Sequence, residues 1–207
     1  MEETISRRRK LDRLGCVVGV GVLILLAIVL CAAVVFPWTF YNQVITLDTQ
    51  VDNAWANVQV ELQRRMDLVP NLVAVVEEAG VHEEEVFNTL AEARAKLAGA
   101  IDRDAPTDEQ AVAANKFETA LSRLLALAED NPELQAYQSF LQLQQQLQEI
   151  ENEVRGSRRA YNDRVREYNR TIRLFPGNLL ARAFGFEPHV FFQAVPGAEE
   201  APQVEFE

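Results

Sequence analysis

Cysteine is scarce in this chain, and its positions limit how the fold can be stabilised. Cys16 and Cys31 both lie in one apolar stretch, and no cysteine follows residue 31. The later residues therefore contain no disulfide and no thiol nucleophile. Packing alone has to stabilise the domain that they form.

Side chains suited to metal binding or acid–base chemistry are also few. The only histidines, His82 and His189, lie far apart, and no glycine-rich phosphate-binding motif is present. His82 and Glu83 could contribute to a metal site, but more glutamates follow them, which favours a helix N-terminus stabilised by acidic side chains. The sequence thus predicts a protein that is not an enzyme and holds no metal and no cofactor.

Basic residues are outnumbered as well. The chain has 20 lysines and arginines against 31 aspartates and glutamates, giving a formal net charge of −11. Beyond residue 13 the imbalance is larger, with 15 basic and 28 acidic side chains. An acidic domain argues against nucleic acid as a partner, and we expect none; it also argues against broad adhesion to anionic lipid.

One long apolar run is present. Residues 14–36 contain no charged side chain over 23 positions, which is enough for a helix to cross the hydrocarbon core of a bilayer. The run is longer than the apolar part of a cleavable signal peptide, so it predicts a retained anchor in the cell (plasma or inner) membrane. Five basic residues precede it, whereas the first basic residue after it is Arg64. The positive-inside rule then predicts a cytoplasmic N-terminus and an extracytoplasmic domain.

Apolar residues beyond the span recur at the three- and four-residue intervals of helices. They predict four helices, over about 38–79, 82–99, 107–128 and 132–175. Pro70 predicts a kink or a restart in the first helix, and Thr107 with Gln110 predicts a capping box at the start of the third. Asn131 and Pro132 predict the start of the last helix.

These patterns predict an all-α fold, with an N-terminal single transmembrane helix followed by an antiparallel up-down-up-down helical bundle. The expected divisions are a basic flank at 1–13, the anchor at 14–36, the bundle at 38–186 and an irregular tail at 187–207. Because two long helices frame two short ones, we expect the short pair to pack far from the membrane. The tail, a second copy or a partner would then cover the two-helix stalk that remains.

Several short blocks make the sequence resemble the LemA family. They extend from the span to the C-terminus and include Val51–Trp55 (VDNAW), Arg65–Val73 (RMDLVPNLV), Ala93-Arg94, Val165–Asn169 (VREYN), Val204 and Phe206. Each block is weak alone, but the combination is specific. The sequence departs from the family pattern around Ala79-Gly80-Val81, where an aromatic residue is usual.

The resemblance implies a membrane anchor and an antiparallel helical bundle, and it supplies no established biochemical activity. It also implies a partial similarity to magnetosome-membrane proteins. For some members it implies a bundle in the cytoplasm, which is opposite to the orientation that the five basic residues of this chain predict.

Polar residues on the two long helices are candidates for register or recognition. The last helix carries two Tyr-Asn pairs that are seven residues apart, and two more asparagines lie on the first helix. The candidate interaction or register positions are Asn42, Asn71, Tyr161, Asn162, Tyr168 and Asn169. Buried polar residues fix register in helical bundles, and a polar stripe could alternatively recognise a partner helix.

The segment after the last helix is a further candidate. Its apolar residues lie close to three arginines and are Leu179, Leu180, Phe184 and Phe186. A short helix of this kind can lie in a membrane interface, or it can pack over the open stalk.

From these features we expect a non-catalytic interaction or scaffold module at the membrane. Its partner would be an unidentified membrane or envelope protein, and the long apolar seams make a homo-oligomer plausible. The alternative is a sensory or ligand-binding bundle with a core cavity lined by Trp55, Phe117 and Phe140.

Overall fold

The fold is described from a computed structural model, which defines the backbone of residues 2–192. The side chains described are those of residue 23 and of residues 25–192 apart from 135. The side chains of the basic flank and Cys16, and residues 193–207 with Val204 and Phe206, lie outside this description.

The described part consists of helices and loops, with no strand. The helices are α1 (Glu2–Glu78), α2 (Glu84–Asp102), α3 (Thr107–Glu129), α4 (Gln138–Arg173) and α5 (Gly177–Phe184), and a 3-10 turn occupies Leu134–Ala136. The predicted all-α fold and the antiparallel order of the four main helices are confirmed.

The bundle has two layers of unequal length. Helix α1 pairs with α4, and α2 pairs with α3 as a hairpin. The hairpin lies beside the distal half of α1, where Gln59 Nε2 donates a hydrogen bond of 2.8 Å to Gln110 Oε1. Between the hairpin and the apolar span, α1 and α4 form the stalk that the helix lengths predict.

The N-terminal part of α1 is apolar and uncovered. An 18-residue window of this helix has a mean hydropathy of 1.9, and little of it is buried. Its length and composition are sufficient to cross a membrane. Exposed apolar side chains over residues 25–36 are the surface expected of a helix that contacts lipid.

Helix α1 continues through Pro70, so the predicted restart does not occur. Proline has no backbone N–H, so the carbonyl oxygen of Met66, one helical turn earlier, loses its usual donor. Arg94 Nε from α2 donates to that oxygen at 2.9 Å. A side chain from the neighbouring helix thus replaces the missing backbone hydrogen bond.

The turn after α1 is a Schellman motif centred on Gly80. The N–H of Val81 donates to the carbonyl of Val76 at 3.3 Å, and the N–H of Gly80 donates to that of Glu77 at 2.9 Å. Gly80 has a φ of +81°, a conformation that favours glycine. The segment that departs from the family pattern therefore forms a regular helix stop.

The predicted capping box at Thr107 is wrong. Helix α3 begins at Thr107 itself, with Pro106 in the preceding position and no side-chain cap. Gln110 instead turns inward, is buried, and donates to the carbonyl of Ala105 at 2.7 Å. A contact with Gln59 on α1 outweighs the local cap.

The predicted start of the last helix at Pro132 is also wrong. Asn131 Oδ1 accepts the N–H of Glu133 at 2.9 Å and closes a turn. The 3-10 turn then inserts Leu134 into the core, Tyr137 is extended, and α4 begins at Gln138. The helix has 36 residues rather than the expected 44 or so, because burial of Leu134 interrupts it.

A network of charges joins the two layers, with one buried arginine at its centre. Arg65 of α1 is buried, and its guanidinium contacts Glu118 of α3 at 2.9 Å and Glu151 of α4 more closely still. Arg158 also contacts Glu118, at 2.8 Å, and Arg155 contacts Glu151 at 2.7 Å. Arg65 therefore connects three helices at one point.

Candidate functional site

Two of the predicted asparagines hold the chain's own C-terminal segment. Asn169 Nδ2 donates to the carbonyl of His189 at 2.8 Å, and its Oδ1 accepts the N–H of His189 at 2.9 Å. Asn162 forms the same two hydrogen bonds with the backbone of Phe192, donating at 3.1 Å and accepting at 2.8 Å. Each amide satisfies both the donor and the acceptor of one backbone residue. We call Asn162 and Asn169 the clasp.

The clasp works because two spacings match. Seven residues of helix rise about 10.5 Å, and three residues of extended chain span about 10 Å. Asn162 and Asn169 are seven apart, and their partners Phe192 and His189 are three apart. The segment runs antiparallel to α4 and hence away from the membrane, over the stalk. Residues 187–192, the described part of the expected tail, are non-helical.

An aromatic pocket receives the end of this segment. The Phe192 ring lies 5.9 Å from Trp55, whose ring in turn lies 5.1 Å from that of Tyr161. The Arg158 guanidinium stacks on Phe192 at 4.3 Å from the ring centroid. Tyr161 donates from its hydroxyl to the carbonyl of Val190 at 2.7 Å. Phe192 is thereby buried.

Burial changes the pKa of several ionisable groups that lie near this segment. Burial raises the pKa of Tyr161 to about 12. Burial, helped by the Asp48 carboxylate, raises the pKa of Tyr168 to about 12 as well. Both phenols therefore stay protonated at neutral pH. Burial and the nearby Asp48 raise the pKa of Asp52, while His189 bonds Asp48 at 2.6 Å and packs edge-on against Tyr168.

The other candidate positions lie elsewhere. Asn42 and Asn71 are exposed on α1, away from the clasp. Among the four apolar candidates after α4, Leu180 and Phe186 pack partly against the core, whereas Leu179 is exposed. Phe184 is half-exposed and contacts Tyr41 edge-on at 5.3 Å. The predicted set is thus divided among three places.

The three residues proposed to line a ligand cavity are packed into the core. Phe117 and Phe140 are completely buried, and Trp55 is buried against Tyr161 and Phe192. Over the described residues, no group of three or more His, Cys, Asp or Glu side chains is arranged to hold a metal ion. His82 lies in the turn before α2.

The outer face of the α2–α3 hairpin carries a groove of about 450 Å³. Its floor contains Ala93, Ala120 and Val112, and its charged lining residues are Glu92, Lys96, Lys116 and Arg123. Lys96 pairs with Glu92 at 3.7 Å, whereas Lys116 and Arg123 form no ion pair with any described residue. We call this the basic groove.

A second groove, of about 600 Å³, lies between α1 and α4. Glu61 and Asp67 from α1 and Glu149 and Glu153 from α4 surround it, with Arg64 as the one basic side chain in its lining. At 3.6 residues per turn, this side of α1 is roughly opposite to Gln59, which contacts the hairpin. We call this the acidic groove.

Sequence reasoning missed both grooves. The spacing of Lys116 and Arg123, seven residues apart on one helical face, was visible in the sequence. The contribution of Lys96 from another helix was not, because it depends on how α2 and α3 pair.

Comparison with known proteins finds relatives that match most of the chain. Two proteins of Paramagnetospirillum magneticum, magnetosome proteins MamQ 1 and MamQ 2, are each 25% identical to this chain over 181 residues, covering 77% of this chain and 66% of theirs. This chain thus spans slightly less than two thirds of their length. The magnetosome protein MamQ of Magnetospirillum gryphiswaldense is 24% identical over 201 residues, covering 85% of this chain and 74% of that protein.

The LemA family itself matches residues 54–206. This range includes the block around Pro70 and Arg94, which meet in the structure, and the clasp asparagines with the segment that they hold. Neither the family description nor the names of the relatives denotes an enzyme. Because the match covers most of the chain, this protein belongs to the LemA family.

Proposed function

We propose that this protein is a non-catalytic membrane scaffold whose bundles associate with neighbouring copies, the basic groove of one against the acidic groove of the next. The observation that supports this is the pair of oppositely charged grooves on opposite faces of one bundle. On a chain with a net charge of −11, a basic groove is a local exception that favours an acidic partner surface.

The two grooves lie at the same height above the membrane. Arg94, next to the basic groove, contacts the Met66 carbonyl, and the acidic groove is lined by Glu61 to Leu68 of the same part of α1. Met66 is 30 residues beyond Phe36, or about 45 Å along the helix. Because all copies insert in one orientation, grooves at equal height can meet without tilting.

This arrangement favours a particular kind of assembly. A contact between two different faces of the same chain is heterologous, so it propagates into a ring or an open row. A row of upright bundles would organise a patch of membrane. The continuous helix α1 supports this, since it carries the span directly into the bundle core.

The proposed orientation places the N-terminus in the cytoplasm and the bundle outside it. Its support is the five basic residues before the span and the absence of basic residues from residue 37 to residue 63. Labelling of an introduced surface cysteine in intact cells by a membrane-impermeant reagent tests this separately from the scaffold.

The scaffold is tested by photocrosslinking in cells. Benzoylphenylalanine in place of Val112, whose side chain is 53% exposed in the basic groove, should form adducts between two copies of the protein. The same probe in place of Ile45, an exposed residue on the stalk, is the matched control. Lys116→Glu with Arg123→Glu should abolish the adduct, and a second copy carrying Glu149→Lys and Glu153→Lys should restore it.

The outcomes separate the parts of the proposal. An adduct with a different protein, unaffected by Glu149→Lys and Glu153→Lys, would contradict self-assembly and leave an interaction module. Equal adducts from the Val112 and Ile45 probes would contradict a specific docking surface. Raised salt should lower the yield of the adduct in isolated membranes, because salt screens the attraction between exposed charges.

A further inference from the structure

The corner between α4 and α5 exposes an unusual concentration of large apolar side chains. Phe175 is 79% exposed, Leu179 is 59% exposed and Leu174 is 54% exposed. Leu180 and Ala181 of α5 face the core instead. A contiguous group of exposed apolar side chains on a folded protein indicates a contact surface.

This corner lies at the end of the membrane span. The rings of Phe36 and Phe40 are 6.4 Å apart. A Cβ added to Gly177, the first residue of α5, would lie 2.6 Å from Phe40 Cε2 and 2.8 Å from the carbonyl oxygen of Thr171. Only glycine therefore allows α5 to approach α1 so closely, and it does so at the boundary of the apolar span.

The contacts also fix the direction of α5. Its first residue touches Phe40, and its last residue, Phe184, touches Tyr41. Adjacent residues of α1 differ in height by only about 1.5 Å, whereas the eight residues of α5 are about 12 Å long. Both ends of α5 therefore lie beside the same turn of α1, next to the end of the apolar span.

Three arginines surround the same corner. Arg170, Arg173 and Arg182 are exposed, and none of them forms an ion pair with a described side chain. Acidic residues outnumber basic ones in this domain, so the three unpaired arginines make this corner locally basic. Apolar side chains with adjacent arginines are the composition of helices that lie in the interface of a bilayer.

We propose that the α4–α5 corner is a second membrane contact. Leu174, Phe175 and Leu179 insert into the interface of the bilayer that α1 crosses, and the three arginines bind lipid phosphates. The partner is a phospholipid surface, and the contact holds the bundle upright beside its anchor. The rest of the domain is acidic and does not adhere broadly to anionic lipid, so the contact is limited to this corner.

The full-length chain, with Cys16→Ser and Cys31→Ser, tests this in vesicles of phosphatidylcholine and phosphatidylglycerol. An environment-sensitive dye is attached at Phe175→Cys, at Leu179→Cys, or at the control Val60→Cys. Val60 is similarly exposed (55%) but lies about 30 Å beyond Phe40 along α1. We expect blue-shifted emission at 175 and 179, with quenching by lipids spin-labelled near the head group several-fold stronger than at 60. Unchanged helical circular dichroism confirms folding.

Two results would overturn the proposal. Emission and quenching at 175 and 179 equal to those at 60 would place the corner in water. A blue shift without lipid quenching would show that protein, not lipid, covers it. Arg173→Gln with Arg182→Gln should reduce quenching at 179, and unchanged quenching would exclude a role for these arginines. None of these results depends on the two charged grooves, so the scaffold proposal is tested separately.

Discussion

Pro70 illustrates, at the scale of single residues, how a local defect is repaired from a distance. Its ring leaves the Met66 carbonyl without a donor, and Arg94 Nε fills the vacancy from another helix. Sequence reasoning identified the defect and expected a kink or restart. It could not identify the repair, because Arg94 and Met66 are 28 residues apart and meet only when α2 packs on α1.

Arg94→Ala should destabilise the bundle by about 1–3 kcal/mol, because a buried carbonyl then has no donor. The measurement is urea unfolding of the detergent-solubilised chain. In a Pro70→Ala background, the alanine N–H can bond Met66, and Arg94→Ala should cost less. Equal costs in both backgrounds would show that the carbonyl is not the reason for the loss.

The C-terminal segment shows a different principle at the scale of elements. A pair of asparagines at helical spacing seven recognises backbone residues at extended spacing three. This recognition involves backbone groups, so it does not require a particular side chain at the bound residue. The segment covers the stalk that the unequal helix lengths leave open.

Loss of the clasp should free this segment without unfolding the helices. In the variant Asn162→Ala with Asn169→Ala, exchange of the His189 and Phe192 amide hydrogens should accelerate about tenfold or more, since each loses its acceptor. Hydrogen exchange read by NMR measures this. The matched control is Asn42→Ala with Asn71→Ala, and similar acceleration there would contradict the clasp.

Helix identity was predictable from sequence, but some helix ends were not. Periodicity identified all four main helices because amphipathic faces are written in the local sequence. The cap of α3 and the start of α4 were misjudged, because Gln110 and Leu134 make contacts in the core instead of their expected local ones. The start of α3 at Thr107 was predicted correctly. A local signal fails where a distant partner offers a larger gain.

The joint between the two layers is a property of the whole molecule. Arg65 is buried and contacts Glu118 and Glu151 on different helices. Buried charges are costly unless paired, so the network requires all three helices in place at once. We expect it to fix how the hairpin sits on the α1–α4 pair.

Arg65→Met should lower the free energy of unfolding by about 2–3 kcal/mol. This is less than the cost of removing one partner of a completely buried ion pair, because Arg158 and Arg155 still neutralise the two glutamates. Urea unfolding provides the measurement. Arg155→Ala is the control, since this exposed arginine should contribute under about 1 kcal/mol. If the two variants lost equal stability, the buried position of Arg65 would have no special role.

The sequence by itself determined the apolar span, the helices, their antiparallel order and the unequal lengths that leave a stalk. Hydrophobic periodicity and the lengths of helices and loops can be read directly along the sequence. Tertiary structure alone decided which residues meet. The clasp, the Arg94 repair, the Arg65 joint, the two charged grooves and the α4–α5 corner each combine side chains from separate parts of the chain. Their partners are set by the packing of α1 with α4 and of the hairpin on both, and no local pattern encodes that geometry.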